Sequence, residues 1–395
     1  MTIVEPVTAS AVAEPVGSLA VASRSIVLAD RVVPGTVVVE NGVIVAIEED
    51  RILAEAEDWG DDILVPGLVE LHTDHIEPHY SPRPKVFWEP FSAVFSYDAQ
   101  IAAAGITTVF DSLRAGSDGD SSMLGARLFA LGEAIEKAKA TGLLRVDHHT
   151  HLRCEICAAD VLDQAREYLG RFDVRLLSLM DHTPGQRQFR DAEKLRDYYR
   201  GKKKGMSEAE LDAFFAERVR LHEKYGIVHR RALVDIGHER GVALASHDDT
   251  TVEHVEESVA DRVQVAEFPT TLEAAAASHA AGLAVLMGAP NVVRGGSHSG
   301  NVSAIALAEA GHLDILSSDY VPISLIEGAF GLADVAGVGG LAGAVRTVSK
   351  NPAEATGMTD RGEIACGKRG DLVRVRLLDG HPVVREVFRL GRRVS

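Results

Sequence analysis

The chain is poor in cysteine, in positive charge and in long apolar runs, and each shortage closes off a class of function. Only Cys154, Cys157 and Cys366 occur in 395 residues. That is too few for a disulfide framework, so a reducing compartment, the cytoplasm, is the expected setting. Lysine and arginine number 41 against 58 aspartates and glutamates, a formal net charge of −17. Nucleic acid and anionic membranes are bound mainly through clustered basic residues, so neither is expected as a partner. A phosphorylated small molecule remains compatible, given a pocket made locally cationic by metals and a few arginines. No stretch approaches the roughly 20 apolar residues of a membrane span. The first 22 residues are rich in Ala and Val, but Glu5 and Glu14 interrupt them and no basic segment precedes them. They read as a flexible extension rather than a signal peptide. Nor does a glycine-rich dinucleotide fingerprint follow the first strand-like run, which counts against a doubly wound sheet.

What is present is enough apolar residue, 46% of the chain, for a sizeable core. Eight strand-like runs recur: Ile63 to Leu71, Ile106 to Phe110, a run ending near Cys154, Val174 to Met180, Val242 to Ser246, Val263 to Phe268, Ala284 to Met287 and Leu313 to Leu316. Helical stretches over Arg127 to Ala140, Leu272 to Ala281 and Asn301 to Ala310 lie between some of them. The alternation predicts an α/β fold, a (β/α)8 barrel of the TIM type over residues 63–359. Before it, from Ser25 to Ile47, Val- and Ile-rich runs are punctuated by Pro34-Gly35 and Asn41-Gly42, the second a hairpin signal. After it, Leu372 to Leu377 and Val383 to Leu390 flank Asp379-Gly380. The two ends, 23–62 and 360–395, are expected to form one β subdomain. The connection at about 183–241 exceeds what a barrel loop needs and should carry helical structure. Ser207 and Glu210 have capping-box spacing and open a helix expected to run to about Tyr225. Lys202, Lys203 and Lys204 read as a solvated turn.

The first barrel run ends in His72-Thr-Asp74, and alternate side chains of a strand share a face, so the pair can grip one cation. The third reads His148-His149-Thr150-His151-Leu152-Arg153-Cys154-Glu155, with His149, His151, Arg153 and Glu155 on one face. The fourth ends in Asp181-His182, the fifth in His247-Asp248-Asp249 and the eighth in Ser317-Ser318-Asp319-Tyr320. Imidazoles and carboxylates converging at one rim make a mixed nitrogen and oxygen site for one or two divalent ions. Cys154 and Cys157 have Cys-x-x-Cys spacing, but no second pair accompanies them and they flank Glu155 rather than opening a helix. Arg294-Gly-Gly-Ser-His298-Ser-Gly-Asn301 precedes a helical stretch, where backbone amides and a helix N-terminus can meet an anion. Arg187, after the fourth strand, and Arg83 and Lys85, after the first, sit in loops expected to share that mouth.

These motifs, with Asn351-Pro352-Ala353 and the segment Gly362 to Val373, resemble the amidohydrolase superfamily of metal-dependent hydrolases over nearly everything after residue 23. Its long motifs, among them Ser178 to Phe189 and Met287 to Asn301, are similar to a diphosphatase branch that serves phosphonate (C–P lyase) catabolism. The resemblance implies release of pyrophosphate from a ribose methylphosphonate triphosphate. It assigns His72 and Asp74 to one metal, Glu155 to a bridge between metals, and His182 and His247 to the second. Asp319 then binds metal and handles the catalytic proton. Phosphate binding falls first to Arg187 and Arg294, then to Arg83, Lys85 and His298. Where most of the superfamily has His-x-His, this chain has the harder ligand Asp74, which moves the expected metal from zinc towards manganese, magnesium or iron. Other readings are an amidohydrolase acting on a cyclic amide or N-acyl substrate, and a non-catalytic scaffold of a phosphonate-degrading assembly. A homo-oligomer is compatible with the sequence.

Overall fold

Short runs rich in Val and Ile, separated by turn residues, pair into an outer sheet at the start of the chain. They are β1 (Leu19–Val27), β2 (Val32–Glu40), β3 (Val43–Glu49), β4 (Glu57–Asp58) and β5 (Ile63–Pro66). The barrel follows as β6 (Leu68–Thr73), β7 (Ile106–Ala115), β8 (Asp147–Glu155), β9 (Val174–Met180), β10 (Ala243–His247), β11 (Val265–Glu267), β12 (Ala284–Gly288) and β13 (Ile315–Ser317). The chain returns to the outer sheet in β14 (Leu372–Leu378), β15 (His381–Arg389) and β16 (Arg392–Arg393). The computed structural model describes residues 16–117, 124–187, 196, 207–297 and 300–395. Lys202 to Lys204 and His298 lie outside the described residues. None of the helices among the described residues is long and apolar enough to cross a membrane.

The outer sheet runs β16-β15-β14-β5-β1-β2-β3, with β4 paired to β1. Both ends of the chain therefore meet in it, with β14 antiparallel to β5 through Val373 opposite Val65. Asn41-Gly42 and Asp379-Gly380 turn its hairpins, all four residues at positive φ as such tight turns demand. Pro34 and Gly35 do not interrupt a strand as expected but lie inside β2. The strand β1 begins at Leu19, so residues 19–22, expected as part of a flexible extension, belong to the sheet. The single run expected from Ile63 to Leu71 is split between two sheets at Gly67. A Cβ there would collide with the side chains of Thr107 and Asp371, which is why only glycine fits the crossing.

The eight barrel strands lie in chain order, each parallel to the next. They match the eight runs read from the sequence, so His182 follows the fourth strand and His247 ends the fifth. First and eighth strands close the ring at their carboxyl ends, where Asp319 N–H donates to His72 O and Asp74 N–H to Asp319 O, both at 3.0 Å. Glu70 reinforces that seam by accepting from the backbone N–H groups of His72 (2.6 Å) and Ser318 (2.5 Å). Burial raises the Glu70 carboxyl to about 7. Lower down, Leu316 N–H donates to Thr347 O and Val69 N–H to Val348 O, so the 347–348 segment fills the remaining gap.

Val69, Leu71, Phe110, Leu176, Ala245, Val265, Leu286 and Ile315 fill the barrel interior. A larger apolar layer, including Leu113, Leu152, Tyr168 and Leu177, packs the strands against the surrounding helices. Burying each such large side chain contributes about 1.5–3 kcal/mol. The insertion contributes a helix, Glu208–Arg240, opened by the expected Ser207/Glu210 capping box. It runs past Tyr225 to Gly241, whose left-handed conformation ends it. No proline interrupts that stretch, and Leu211, Phe215, Arg218, Gly226, His229, Leu233 and Gly237 continue one buried stripe through it.

Candidate active site

The inward face of β8 rises from floor to mouth in steps of two. His149 pairs with Asp173 at 3.0 Å near the floor, and His151 contacts Leu71 O and Ser178 Oγ, each at 2.9 Å. Arg153 then donates to both oxygens of Asp74 at 2.7 and 2.9 Å. At the rim Glu155 meets His182 Nδ1 at 2.6 Å, Arg114 at 2.8 Å and Arg218 at 3.5 Å. Burial opposes the Glu155 charge, but His182 and the two arginines prevail and hold its carboxyl at about 2.

Metal-ligating atoms gather in two groups beside a cavity of about 240 Å³ at the carboxyl ends of the strands. One group is His72, Asp74 and Asp319; the other is His182, His247 and Asp248. Within each, the candidate ligand atoms lie within 4.8 Å of one another. His72, His182, His247, Asp248 and Asp319 line the cavity, together with Arg153 and Arg294. The donor set of imidazoles and carboxylates fits divalent ions. The backbone is unusual here, since Asp248, Phe268 and Asp319, each just beyond a strand end, hold φ of 58°, 54° and 55°. Left-handed conformations at non-glycine residues are costly and gather where function demands them.

Beneath both groups sits Glu267, fully buried at the end of β11. Its Oε1 lies 3.1 Å from His72 Nδ1 and 3.5 Å from His151 Nε2, and its Oε2 3.2 Å from His247 Nδ1. Burial would raise the Glu267 carboxyl, but His151, His72 and His247 hold it well below the usual range. Burial likewise works against charge on His72, and Glu267 more than offsets it, so the His72 imidazole rises above its ordinary value. His151, where burial dominates, falls to about 3 and stays neutral. At Asp74 burial is outweighed by Arg153 and His72, and the carboxyl falls.

Of the residues expected from sequence, the structure brings His72, Asp74 and Asp319 together, and His182 and His247 together. Glu155 belongs to neither ligand group; it is engaged by His182 and two arginines. Arg294 lines the cavity, at the C-terminal end of a short helix, Ala289–Val293, that the sequence reading lacked. The helix expected to offer its N-terminus to an anion is six residues, Ala304–Glu309. Ser303 Oγ and Asn291 Oδ1 already accept from its amides of Ala306 and Ala304. Arg187 is buried and paired with Asp249 and Glu257, and it does not line the cavity. Arg83 and Lys85 are exposed and likewise absent from the lining. The sequence points to His151 and Asp248 as polar residues on or ending a strand without giving either a role, and it passes over Glu267. The available signal was an ionisable residue inside or just beyond an apolar strand.

The fold is a (β/α)8 barrel with an outer sheet built from both chain ends, and its donor set is one that divalent metal ions would fit. Solved structures with similar chain paths include N-acetyl-D-glucosamine-6-phosphate deacetylase from Mycobacterium smegmatis. It has a TM-score of 0.63 and 16% identity, with 95% of this chain and 100% of that one covered. A zinc-bound adenosine deaminase from Xanthomonas campestris gives 0.57 and 16%, over 95% and 92% of the two chains. No protein-family model matches the chain. The α-D-ribose 1-methylphosphonate 5-triphosphate diphosphatase of Escherichia coli K12 is 46% identical over 371 residues, 93% of this chain and 98% of its own. The chain belongs to that diphosphatase family.

Proposed function

We propose that this protein hydrolyses α-D-ribose 1-methylphosphonate 5-triphosphate to α-D-ribose 1-methylphosphonate 5-phosphate and pyrophosphate, in the cytoplasm, as a step of phosphonate breakdown. The observation that carries the reading is 46% identity over nearly the full length of the Escherichia coli diphosphatase, in a chain that also gathers two candidate metal-ligand groups at one cavity. His72, Asp74 and Asp319 would hold one divalent ion, and His182, His247 and Asp248 a second. Such ions supply Lewis-acid polarisation of the phosphoryl oxygens and make a water molecule acidic enough to attack near neutral pH.

The chain's own groups do the positioning. Glu267 engages Nδ1 of both His72 and His247, and Glu155 engages Nδ1 of His182, which fixes the rings and makes Nε2 the atom each would offer to a cation. With Glu155 so engaged, we assign it this orienting role; bridging two metals would require it to give up His182 and Arg114. Asp319, held at the seam of the barrel, accepts the proton of the attacking water. Arg294 and Arg153 face the cavity and neutralise charge building on the pyrophosphate as the α–β anhydride breaks. An acidic protein needs those cations, because its own field opposes a polyanionic substrate. Arg187 acts from behind, tying the loop after β9 to Asp249 and Glu257.

Phosphorus NMR of the metal-loaded protein with the ribose methylphosphonate triphosphate tests the reading. Pyrophosphate as the first phosphorus product is expected. Orthophosphate would mean a cut at the terminal phosphate, and inertness towards the triphosphate with turnover of a cyclic amide would transfer the site to amide hydrolysis.

A further inference from the structure

A second set of metal-ligating side chains converges away from the cavity, where the long helix Glu208–Arg240 meets the barrel. Cys157 follows β8, Asp181 follows β9, and His222 comes from the helix. Cys157 Sγ lies 3.2 Å from Asp181 Oδ1 and 3.7 Å from His222 Nδ1. His222 Nδ1 lies 2.8 Å from Asp181 Oδ2. We propose that Cys157, Asp181 and His222 form a separate zinc site, completed by water, that clips the inserted helix to the third and fourth barrel strands.

The donor set is a zinc set, and its spacing is close to what the ion needs. Zinc bonds of about 2.0–2.3 Å in a tetrahedron set neighbouring ligand atoms about 3.3–3.8 Å apart. The Cys157–His222 separation already falls in that range, and the two contacts to Asp181, one to each carboxylate oxygen, would widen by about 0.1–0.5 Å to admit the ion. The thiol also keeps polar company, since Thr183 Oγ1 approaches Cys157 Sγ at 3.3 Å. Cys154 makes the contrast: also buried, its sulfur has the Leu152 carbonyl, at 3.9 Å, as its one polar contact among the described residues. So the Cys-x-x-Cys spacing is not itself the site, and Cys157 finds its partners 24 and 65 residues away in sequence.

Donor chemistry separates this site from the cavity. A thiolate with an imidazole and a carboxylate selects zinc over magnesium or manganese, whereas both groups at the cavity lack sulfur. None of the three residues lines that cavity. Yet Asp181 adjoins His182, and Cys157 stands two residues beyond Glu155. An ion here would fix the backbone that presents both, making Cys157, Asp181 and His222 positioning residues for the catalytic cluster. The proposal does not depend on the identity of the substrate.

Cobalt substitution in the full-length protein tests it, because cobalt bound to a thiolate gives a sulfur-to-metal charge-transfer band in the near ultraviolet that imidazole and carboxylate sites cannot. Chelator-stripped protein titrated with cobalt should develop the band with about one equivalent of thiolate-bound metal. The band should survive Cys366→Ser, vanish in Cys157→Ser, and need about tenfold more cobalt or beyond in His222→Gln. Zinc should erase it and magnesium should not. Far-ultraviolet circular dichroism shows whether each variant is folded, and His222→Gln, altered on the helix, serves if Cys157→Ser is not. A band that persists in Cys157→Ser, or an unmoved titration in His222→Gln, overturns the proposal. So does the lack of a band in wild type whose cavity has taken cobalt and hydrolyses substrate.

Discussion

The barrel mouth and the outer sheet bury charge with different partners. In the outer sheet each buried carboxylate meets arginine: Asp62 accepts from Arg374 and Arg376, both at 2.6 Å, and Arg374 goes on to Glu386 at 2.7 Å. The Arg374 guanidinium lies over Trp59 at 5.2 Å, and Trp59 stacks on Phe388. At the mouth, His72, His151, His182 and His247 crowd around Glu155 and Glu267, with Asp74, Asp248 and Asp319 beside them. Arginines reach the mouth as well, Arg153 on Asp74 and Arg114 on Glu155, but the imidazoles that share a carboxylate there keep a second ring nitrogen to offer a cation. Carboxylates neutralised by arginine alone hold the fold together, whereas those that gather several imidazoles mark the place where a cation would bind.

Breaking the comparison should cost most where the two regions join. Asp147, at the base of β8, accepts from Arg361 at 2.7 Å, Arg369 at 2.6 Å and Arg389. Burial opposes its charge, but the three arginines hold the carboxyl well below the usual range. Asp147→Asn leaves those arginines without their shared counter-charge and should destabilise the protein by about 3–5 kcal/mol in urea unfolding. Turnover by the fraction still folded should not change. A loss of turnover without loss of stability would put Asp147 on the wrong side of the comparison.

His148 gives a pH signature of the structural kind. It lies on the outer face of β8, bonded to Asp111 at 2.9 Å and facing Asp98 at 3.4 Å. Burial works against its charge, yet the two aspartates raise it to about 9. A raised imidazole contributes stability that is full below its ordinary value of about 6.5 and is lost as pH climbs through about 9. Wild type should therefore lose on the order of 3 kcal/mol across that window. Unfolding midpoints of His148→Gln, measured at each pH, should flatten over the same range.

At the mouth, Glu267→Gln should lower turnover or metal affinity about 10- to 100-fold, as losses of ring-orienting carboxylates do, while Asp62→Asn leaves kcat alone. Smaller still is the expected contrast between two arginines. Arg294→Ala should raise KM for the triphosphate about tenfold, the worth of one charge-assisted bond, and Arg83→Ala should leave steady-state kinetics as they are.

The fold was legible because barrel strands are continuous apolar runs and hairpins carry their own turn residues. The split at Gly67 was not, since a close approach of Thr107 and Asp371 has no local signature. His72, Asp74, His182, His247 and Asp319 announced themselves as polar residues ending apolar strands. Glu267 sits in such a strand too, but a lone carboxylate has meaning only once three imidazoles from other strands are seen around it. Arg187 shows the converse: a loop arginine read as a phosphate ligand proved to have carboxylate partners 62 and 70 residues further along the chain. His222 is one of many charged positions on its helix, and only the packing of that helix brings it to Cys157.

If cations held by His72, Asp74 and Asp319, and by His182, His247 and Asp248, carry the hydrolysis, removing them must abolish it. Pyrophosphate release should be followed while chelator-stripped protein is titrated with manganese, beside His72→Ala. No release is expected from stripped protein, recovery within about two equivalents in the wild type, and none in the variant. Full activity in stripped protein, or equal recovery in His72→Ala, would contradict it.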